Sequence, residues 1–526
     1  MKLHYSLDSA IVLDADQGPA TLLMLRDAGV NTIWLYGFFF GKFWSPIEDM
    51  VQAAGILREN GFEVGVIQLP VGHPGNGLNP DDDTLDLQIP GHWRYRINRD
   101  DQPVYYCAAI EENMIKDNAQ SIKELKAAGF KRFFMDDDLR SGLWGERLSG
   151  CFSEQSIAEF NKAYHRNIDR EMLIDALDNN RDGLLLKEWT EYHCNKLTGF
   201  MEAMALPDIE VGIMVMHLGD ERQGIDVAAI KKKIPNCLFR VGEFHFGDGN
   251  FGTPEGKASE WFSMLYHLDV MGREHAYSET TIFPARALSP ENFIFKAKLA
   301  LMAGIPNLLF MSGTWLITED YWQRLGAELP ALEELEKACS ISEQEYPIHM
   351  AYGTRGHTEE VKPILLPILA GLPAKPVRVN GDEGSASSGA DCLLFFGDYE
   401  LTPEWVRRFP SYGTILMDQT AFQRNKDKVA TLGYGKIEIW DYAIGAATLP
   451  VEIELLRKKL LERGPLSCPL VTEGNHISLI WFREARSVLL VNFQDELQSA
   501  TIKYGDIQYE IELEPLEIFQ LNLNEA

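Results

Sequence analysis

The sequence lacks the features of several large functional classes. No uninterrupted apolar stretch reaches the length that a membrane-spanning helix needs. Basic residues are few: 49 Lys and Arg stand against 78 Asp and Glu, which sets the formal net charge at -29. So acidic a chain repels nucleic-acid phosphates and anionic membrane surfaces. We therefore expect neither a nucleic acid nor a membrane as partner, and a neutral or cationic ligand fits the charge better.

Cysteine is also scarce, with seven scattered residues and no CxxC pair. An odd number of unclustered cysteines indicates reduced thiols, as in cytoplasmic proteins. Residues 1–6 show no basic start followed by an apolar run, so we expect no signal peptide and a cytoplasmic location. Zinc-type His/Cys spacing, the GxGxxG fingerprint and the P-loop are absent as well. The sequence therefore predicts no metal and no cofactor.

One acidic segment, residues 178–183, resembles the start of a calcium-binding loop. Such a loop needs a glutamate at its twelfth position, where this chain has Trp189. Glu188 stands one residue too early, so we predict no calcium site here.

What the chain does contain is a regular alternation of strand and helix patterns over residues 1–345. Each predicted strand is a short apolar run rich in β-branched or aromatic residues, with helical patterns between the runs. The predicted strands cover residues 31–39, 63–69, 104–109, 132–137, 210–217, 238–244, 276–280 and 307–311. Eight such units predict an α/β fold, the (β/α)8 TIM barrel, with a doubly wound open sheet as the alternative. The insertion at 72–103 is expected to overhang the pocket.

Two smaller units are predicted after the barrel. Strand patterns at 392–396 and 414–417, with a short helical pattern between them, indicate a small α/β domain over residues 346–460. Residues 461–526 alternate as half-buried strands do and predict a small antiparallel β domain. We therefore divide the chain into three domains, the first of which is the barrel.

Three carboxylates stand together where the predicted strand at 132–137 ends. Asp136, Asp137 and Asp138 repel one another unless they are partly neutralised or solvated. Because side chains alternate along a strand, Asp136 and Asp138 share one face and Asp137 points the other way. The C-terminal ends of barrel strands carry the chemistry, so we interpret the triplet as a general acid with groups that position the substrate. A solvated strand end or a helix cap is the structural alternative.

A further carboxylate, Glu279, ends the predicted strand at 276–280 and stands five residues before Pro284. A carboxylate there can attack an anomeric carbon or activate a water molecule. The structural alternative is a buried ion pair, for which Arg286 is one candidate partner. Acids on two strands that face one pocket are what glycosidic bond cleavage requires, so the two segments together predict a glycoside hydrolase.

Other polar and aromatic residues stand at predicted strand ends or in the loops after them. Glu243 and His245 alternate onto one face, where they either line the pocket mouth or support the residues that do. His217 ends another strand, and a single histidine is more often structural than a ligand. Aromatic rings suit sugars because a ring face packs against the C–H face of a pyranose. The aromatic candidates are Tyr36, Trp144 and Trp315.

These segments resemble glycoside hydrolase family 42, the barrel-type β-galactosidases. In that family strand four ends in Asn-Glu and a Cys-x-Cys-x-x-Cys segment follows; the similar segments here are residues 136–140 and 150–155. The family's strand seven ends in a nucleophilic glutamate shortly before a proline, as residues 278–284 do. Its strand eight follows a glycine-containing turn and ends near a tryptophan, as in residues 304–315. The order of barrel, amidotransferase-like α/β domain and small β domain also matches.

The resemblance implies a role for each matching residue. Glu279 corresponds to the nucleophile, Asp138 to the acid/base glutamate, and Asp137 to the neighbour that contacts the substrate. Asp is one methylene shorter than Glu, and retention needs a carboxyl spacing of about 5–5.5 Å, so a wider spacing would favour inversion. The substrate-binding candidates are Asp136, Asp137, Arg140, Glu243, His245, Trp315 and Tyr36.

The resemblance also bears on metal and assembly. Cys107 and Cys151 correspond to two ligands of the family's zinc cluster, but Ser153 replaces another, so we predict no structural zinc. The middle domain has no convincing Cys/His/Glu triad, and its predicted role is homo-oligomerisation, with a trimer as the form that the family implies.

The leading hypothesis is a cytoplasmic, exo-acting glycosidase that cleaves a β-linked hexoside with retention. A β-galactoside is the first substrate, and a β-mannoside or another β-hexoside comes next. Two alternatives stay open: a carbohydrate-binding barrel without turnover, and a metal-dependent barrel hydrolase. The residues of the metal alternative are Asp136, Asp138, His217, Glu243 and His245.

Overall fold

The computed structural model describes most of the chain and divides it into two compact units. The units are residues 1–247 with 271–335, and residues 248–270 with 336–526. Within them the structure describes residues 1–72, 88–136, 139–141, 150–179, 183–215, 220–241, 245–341, 344–352, 362–378, 390–398, 400–432, 435–462 and 467–523. Among these residues, no helix is both long and apolar enough to cross a membrane.

The elements of residues 1–341 alternate between strand and helix. The strands are β1 (Lys2–Leu7), β2 (Val30–Phe39), β3 (Lys42–Phe43), β4 (Glu63–Leu69), β5 (Tyr95–Ile97), β6 (Pro103–Ala108), β7 (Arg132–Met135), β8 (Glu210–Met214), β9 (Leu238–Arg240), β10 (Ala276–Tyr277), β11 (Thr280–Thr281) and β12 (Asn307–Met311). The helices are α1 (Ser9–Leu13), α2 (Gln17–Asp27), α3 (Ile47–Glu59), α4 (Glu112–Ala127), α5 (Glu154–Tyr164), α6 (Arg170–Asn179), α7 (Leu184–Met204), α8 (Val227–Lys233), α9 (Asp248–Phe251), α10 (Pro254–Met271), α11 (Pro290–Ala303) and α12 (Glu319–Ile341).

Eight of these strands close into a parallel barrel, which confirms the predicted fold class. Hydrogen-bonded neighbours follow the order β1-β2-β4-β7-β8-β9-β10-β12, and β12 pairs with β1 so that the sheet has no open edge. The predicted alternative of a doubly wound open sheet is therefore wrong for this part of the chain. In barrel order β7 is the fourth strand and β10 the seventh, so the two acidic segments follow the strands that the family resemblance requires.

The prediction of a barrel strand at residues 104–109 is wrong. The strand there, β6, pairs antiparallel with β5 in a two-stranded sheet of its own. The barrel strand that the prediction missed is β1, which lies between β2 and β12. Its apolar run is broken by His4 and Ser6, which are both buried, so the sequence pattern there is weak.

The barrel interior is a packed apolar core. Glycines make room for its largest rings: a Cβ at Gly65 would lie 2.3 Å from the ring of Trp34, and one at Gly212 would lie 2.4 Å from the ring of Phe134. The interior cluster comprises Trp34, Tyr36, Phe39, Phe40, Ile67, Leu69, Phe134, Leu238, Tyr277 and Leu309. Because side chains fill the interior, a ligand site has to lie at a barrel end.

An arginine closes the N-terminal end of the barrel. Arg132 forms ion pairs of 2.8 Å with Glu63 and with Glu210, and it donates a 2.9 Å hydrogen bond to the hydroxyl of Tyr277. Its guanidinium also lies over the ring of Trp34. Both glutamates are about half exposed, at 51% and 52%. Solvent screens such a cluster, as is typical of a stabilising surface contact.

A second, five-stranded parallel sheet forms the predicted small α/β domain. Its strands are β13 (Ile348–Tyr352), β14 (Ala374–Arg378), β15 (Cys392–Phe395), β16 (Thr414–Met417) and β17 (Ile437–Ile439), in the order β14-β13-β15-β16-β17. Its helices are α13 (Lys362–Leu369), α14 (Pro403–Arg408), α15 (Gln419–Leu432) and α16 (Leu449–Leu461). This strand order is the flavodoxin-like doubly wound order.

The C-terminal residues form two three-stranded antiparallel sheets, as predicted. The strands are β18 (Leu470–Glu473), β19 (Ile477–Phe482), β20 (Ser487–Asn492), β21 (Gln498–Tyr504), β22 (Ile507–Leu513) and β23 (Ile518–Asn522). One apolar cluster, which includes Trp481 and Leu490, lies between them. The division into three domains at residues 345 and 460 stays a prediction.

Candidate active site

Alternation along three strands places charged residues directly above the apolar core of the barrel. Asp136, Arg240 and Glu279 each stand two residues beyond a member of the interior cluster, so they point to the same side of the sheet. The interior members below them are Phe134, Leu238 and Tyr277. The three charged residues therefore form a layer at the C-terminal end of the barrel, where barrel enzymes carry their chemistry.

Arg240 joins the two acids of this layer. Its Nη1 atom lies 2.6 Å from Oδ1 of Asp136, and its Nη2 atom donates a 3.0 Å hydrogen bond to Oε1 of Glu279. The exposed fractions are 1% for Asp136, 2% for Glu279 and 3% for Arg240. The guanidinium also contacts the sulfur atoms of Met214 and Met311. We call Asp136, Arg240 and Glu279 the acid–arginine cluster.

The burial of this cluster is energetically demanding. Removing a charged group from water costs several kcal/mol unless partners compensate, and here one cation serves two carboxylates. Neither oxygen of Asp136 makes a hydrogen bond of good geometry to another described residue, although its ion pair with Arg240 is short. The Arg132 cluster at the opposite end of the barrel avoids this cost because its glutamates stay solvated. A dry, charged cluster at the C-terminal end is typical of a functional site.

The structural alternatives for the two acids have different outcomes: the solvated strand end is wrong for Asp136, whereas Glu279 does form a buried ion pair, with another arginine. Asp136 is buried and is therefore not a solvated strand end. Glu279 does not pair with Arg286, whose guanidinium lies 3.6 Å from Asp320 on the surface. The ion pair of Glu279 is with Arg240 from the neighbouring strand. The sequence did carry a signal for this partner, because Arg240 is a charged residue between the apolar Phe239 and Val241 in a predicted strand.

Two predicted aromatic residues lie at the same end of the barrel. Tyr36 is buried, and its hydroxyl donates a hydrogen bond to the carbonyl oxygen of Gly313 in the loop after β12. Burial raises the pKa of Tyr36, so the phenol stays protonated. Trp315 is half-buried in the same loop, with its ring centroid 5.9 Å from that of Phe283.

The structure describes two of the four other predicted substrate-binding residues, His245 and Arg140. His245 is half-buried, and its carbonyl oxygen accepts a 2.9 Å hydrogen bond from Nζ of the buried Lys296. Arg140 is buried just beyond the end of β7. The predicted site residues Asp137, Asp138 and Glu243 lie outside the described residues, as do Trp144 and His217. The roles assigned to all of these residues stay predictions.

The described residues do not match the cysteine ligands of the zinc site in family 42, which the sequence resembles. Sγ of Cys151 lies 3.4 Å from the hydroxyl oxygen of Ser153, a neutral group in place of a thiolate. No group of three His, Cys, Asp or Glu side chains with metal-binding geometry occurs in the part of the chain that the structure describes. Three of the five residues of the metal-dependent alternative, Asp138, His217 and Glu243, lie outside that part.

Comparisons with known proteins identify similar folds. No protein-family model matches the chain, and no curated protein matches it. Among solved structures, it is similar to Gan42B, a family 42 β-galactosidase from G. stearothermophilus, with a TM-score of 0.65, 11% identity and coverage of 98% of this chain and 97% of the other. It is also similar to α-L-fucosidase isoenzyme 2 from Paenibacillus thiaminolyticus, with a TM-score of 0.61, 12% identity and full coverage of both chains. The predicted resemblance to family 42 is thus confirmed as a likeness of fold over the whole chain.

Proposed function

We propose that this protein is an exo-acting glycoside hydrolase that cleaves a β-linked hexoside by a retaining, two-carboxylate mechanism. The observation that carries the proposal is Glu279, a dry carboxylate held by Arg240 at the C-terminal end of the barrel. The fixed cation favours the charged form of the carboxylate, which a nucleophile requires. The likeness in fold to two glycosidases supports the same reading.

In the proposed reaction, an oxygen of Glu279 forms a bond to the anomeric carbon while the glycosidic C–O bond breaks. Asp138 gives its proton to the leaving oxygen. Asp138 then takes a proton from water, the water oxygen bonds to the anomeric carbon, and the bond to Glu279 breaks. Both carboxyl groups return to their starting protonation states, and the sugar keeps its anomeric configuration.

The substrate class rests on the fold comparisons and on the charge of the chain. A neutral sugar fits a protein of net charge -29. A β-galactoside is our first choice because Gan42B is described as a β-galactosidase, and an α-L-fucoside belongs in the test because the second similar structure is described as an α-L-fucosidase. A β-mannoside completes the panel of probes.

The first test replaces the proposed nucleophile. Glu279→Gln keeps the size and the burial of the side chain but removes its charge, so turnover of aryl glycosides should fall by roughly 10³-fold or more. Glu63→Gln is the matched control, because Glu63 also pairs with an arginine but at the N-terminal end of the barrel. Near-normal turnover by Glu279→Gln would reject the assignment. NMR of the anomer released first distinguishes retention from inversion.

One observation favours a second candidate, a barrel that binds carbohydrate without turnover. Arg240 contacts both acids at once, and an ion pair that persists when sugar binds would keep the Glu279 carboxylate from attacking the anomeric carbon. Sugar binding by the parent protein with no turnover on any glycoside of the panel would favour this candidate.

We further propose a cytoplasmic homo-oligomer, with the α/β domain of residues 346–460 as the assembly element. All seven cysteines are reduced and buried, which supports a reducing compartment. Light scattering on a size-exclusion column measures the mass; a chain of 59.5 kDa that stays monomeric at micromolar concentration would reject the assembly role.

A further inference from the structure

A tryptophan at the same end of the barrel as the acid–arginine cluster, Trp44, has no role in the mechanism above. Trp44 follows the short strand β3, which pairs with β2 in a tight hairpin at the C-terminal end of the barrel. Among the described residues, the partly buried side chains packed against the interior cluster are Trp44 and Met311. Both side chains therefore border the apolar core of the barrel and are themselves only partly buried.

Trp44 is held in a fixed orientation. Its indole Nε1 donates a 2.7 Å hydrogen bond to Oδ2 of Asp8, while Oδ1 of Asp8 accepts a hydrogen bond from the backbone N–H of Ala10 at the start of α1. The ring contacts Tyr36 edge-to-face, with centroids 6.0 Å apart, and Phe39 at 5.1 Å. The one polar atom of the indole is thus satisfied, and the remaining exposed surface of the ring is apolar.

The hairpin that carries Trp44 contains a strained residue. Phe40 and Gly41 both have positive φ, 51° and 83°, as a type I′ two-residue turn requires. Glycine adopts this conformation freely, but a bulky residue there is rare and strained. Strain of this kind is concentrated where function requires a particular placement of neighbouring groups.

A chain of contacts connects Trp44 to the acid–arginine cluster. Trp44 packs on Tyr36, whose hydroxyl binds the carbonyl oxygen of Gly313, two residues beyond Met311. Met311 contacts the guanidinium of Arg240, which holds Glu279. Trp44 therefore lines the same end of the barrel as the proposed nucleophile.

We infer that Trp44, oriented by Asp8, is a stacking platform for the sugar ring that binds beside Glu279. A partly buried indole with its N–H satisfied offers a rigid apolar face, which suits the C–H face of a pyranose. Asp8 is a positioning residue, since it acts through the indole. The inference rests on the proposed function only in taking a sugar as the ligand; it needs no turnover.

Calorimetric titration with methyl β-D-thiogalactoside and with L-fucose tests the platform, because neither probe is hydrolysed. Trp44→Leu keeps an apolar side chain without a ring and should weaken binding of whichever probe binds by about tenfold, on the scale of an aromatic contact. Trp44→Phe keeps a ring and should weaken it by about threefold or less. Asp8→Asn should give an intermediate loss, and Trp440→Ala, which removes a stacked tryptophan of the other compact unit, should change nothing.

A second measurement follows Trp44 in the parent protein and uses the conservative Trp44→Phe variant only to assign its signal. In the parent protein labelled with 5-fluorotryptophan, the ¹⁹F resonance that Trp44→Phe lacks should shift when the probe is added. Parent-like affinity of Trp44→Leu, an unmoved resonance, or no binding of either probe would overturn the inference. Loss of binding in Trp44→Leu with no turnover on the glycoside panel would keep the platform and reject the hydrolase. Turnover that is unchanged in Trp44→Leu would keep the hydrolase and reject the platform.

Discussion

At the scale of single residues, Arg240 decides the character of the barrel end. It is 3% exposed and contacts two carboxylates whose exposed fractions are lower still. Such a group is hard to replace, because removal of a buried cation leaves the remaining anions without compensation. The same chain offers a natural comparison in Arg132, which also pairs with two acids but at the solvent-exposed end of the barrel.

Arg240→Met should therefore destabilise the protein far more than Arg132→Met. We expect the free energy of unfolding to fall by about 3–5 kcal/mol for Arg240→Met, since Asp136 and Glu279 stay buried and lose the guanidinium that contacts both of them. For Arg132→Met the expected loss from its ion pairs is about 1 kcal/mol, because Glu63 and Glu210 stay hydrated. Urea unfolding followed by circular dichroism measures both. Equal losses would show that the burial of the acid–arginine cluster carries no special energetic cost.

At the scale of elements, the β2–β3 hairpin presents aromatic side chains at the open end of the barrel. Its turn depends on Gly41, where an added Cβ would lie 2.3 Å from Cγ of Pro90. A second glycine, Gly61 after α3, has a similar φ of 90° but no atom within 4 Å of the corresponding Cβ position. The two positions therefore separate backbone strain from steric overlap.

Gly41→Ala should cost more stability than Gly61→Ala. Positive φ alone is expected to cost each variant about 1–2 kcal/mol, and steric overlap with Pro90 should add roughly 1–3 kcal/mol at position 41. Thermal unfolding at one pH measures the difference.

We also expect Gly41→Ala to weaken binding of the thiogalactoside probe, because Trp44 follows the turn; Gly61→Ala should bind as the parent does. A Gly41→Ala variant as stable as Gly61→Ala would mean that the hairpin moves away from Pro90 at no cost.

At the scale of the whole molecule, buried neutral histidines predict how stability depends on pH. Burial lowers the pKa of His4 in the barrel to about 3, and burial likewise lowers the pKa of His349 in the α/β domain to about 3. Unfolding restores a pKa of about 6.5 to each, so the unfolded chain binds protons that the folded chain does not. The stabilisation is present above about pH 6.5 and is lost as the pH falls toward 3.

The free energy of unfolding should therefore decrease between pH 6.5 and 3, by up to about 1.4 kcal/mol per pH unit for each of the two histidines. His349→Asn keeps a group that can hydrogen-bond to the hydroxyl of Tyr412 but cannot gain a proton, so its stability should fall less steeply over this range. Urea titrations at several pH values provide the slopes. Parallel curves for the parent and His349→Asn would contradict the prediction for this residue.

Local pattern was sufficient for many elements of the fold. The predicted strands at 63–69, 307–311 and 414–417 coincide with the structure, because periodicity is a property of neighbouring residues. The short apolar strands that precede Asp136 and Glu279 were also recognisable. The same reasoning failed at residues 104–109, whose pattern suits any half-buried strand, barrel or hairpin.

What the sequence determined without help is the kind of element over much of the chain and the acids that end two of the strands. Tertiary structure alone decided that Lys2–Leu7 closes the barrel and that Arg240, rather than Arg286, holds Glu279. Pairing across a barrel depends on how all eight strands are staggered when the sheet closes, and no single strand encodes that stagger. A charged layer assembled from three strands is therefore visible only once the barrel has closed.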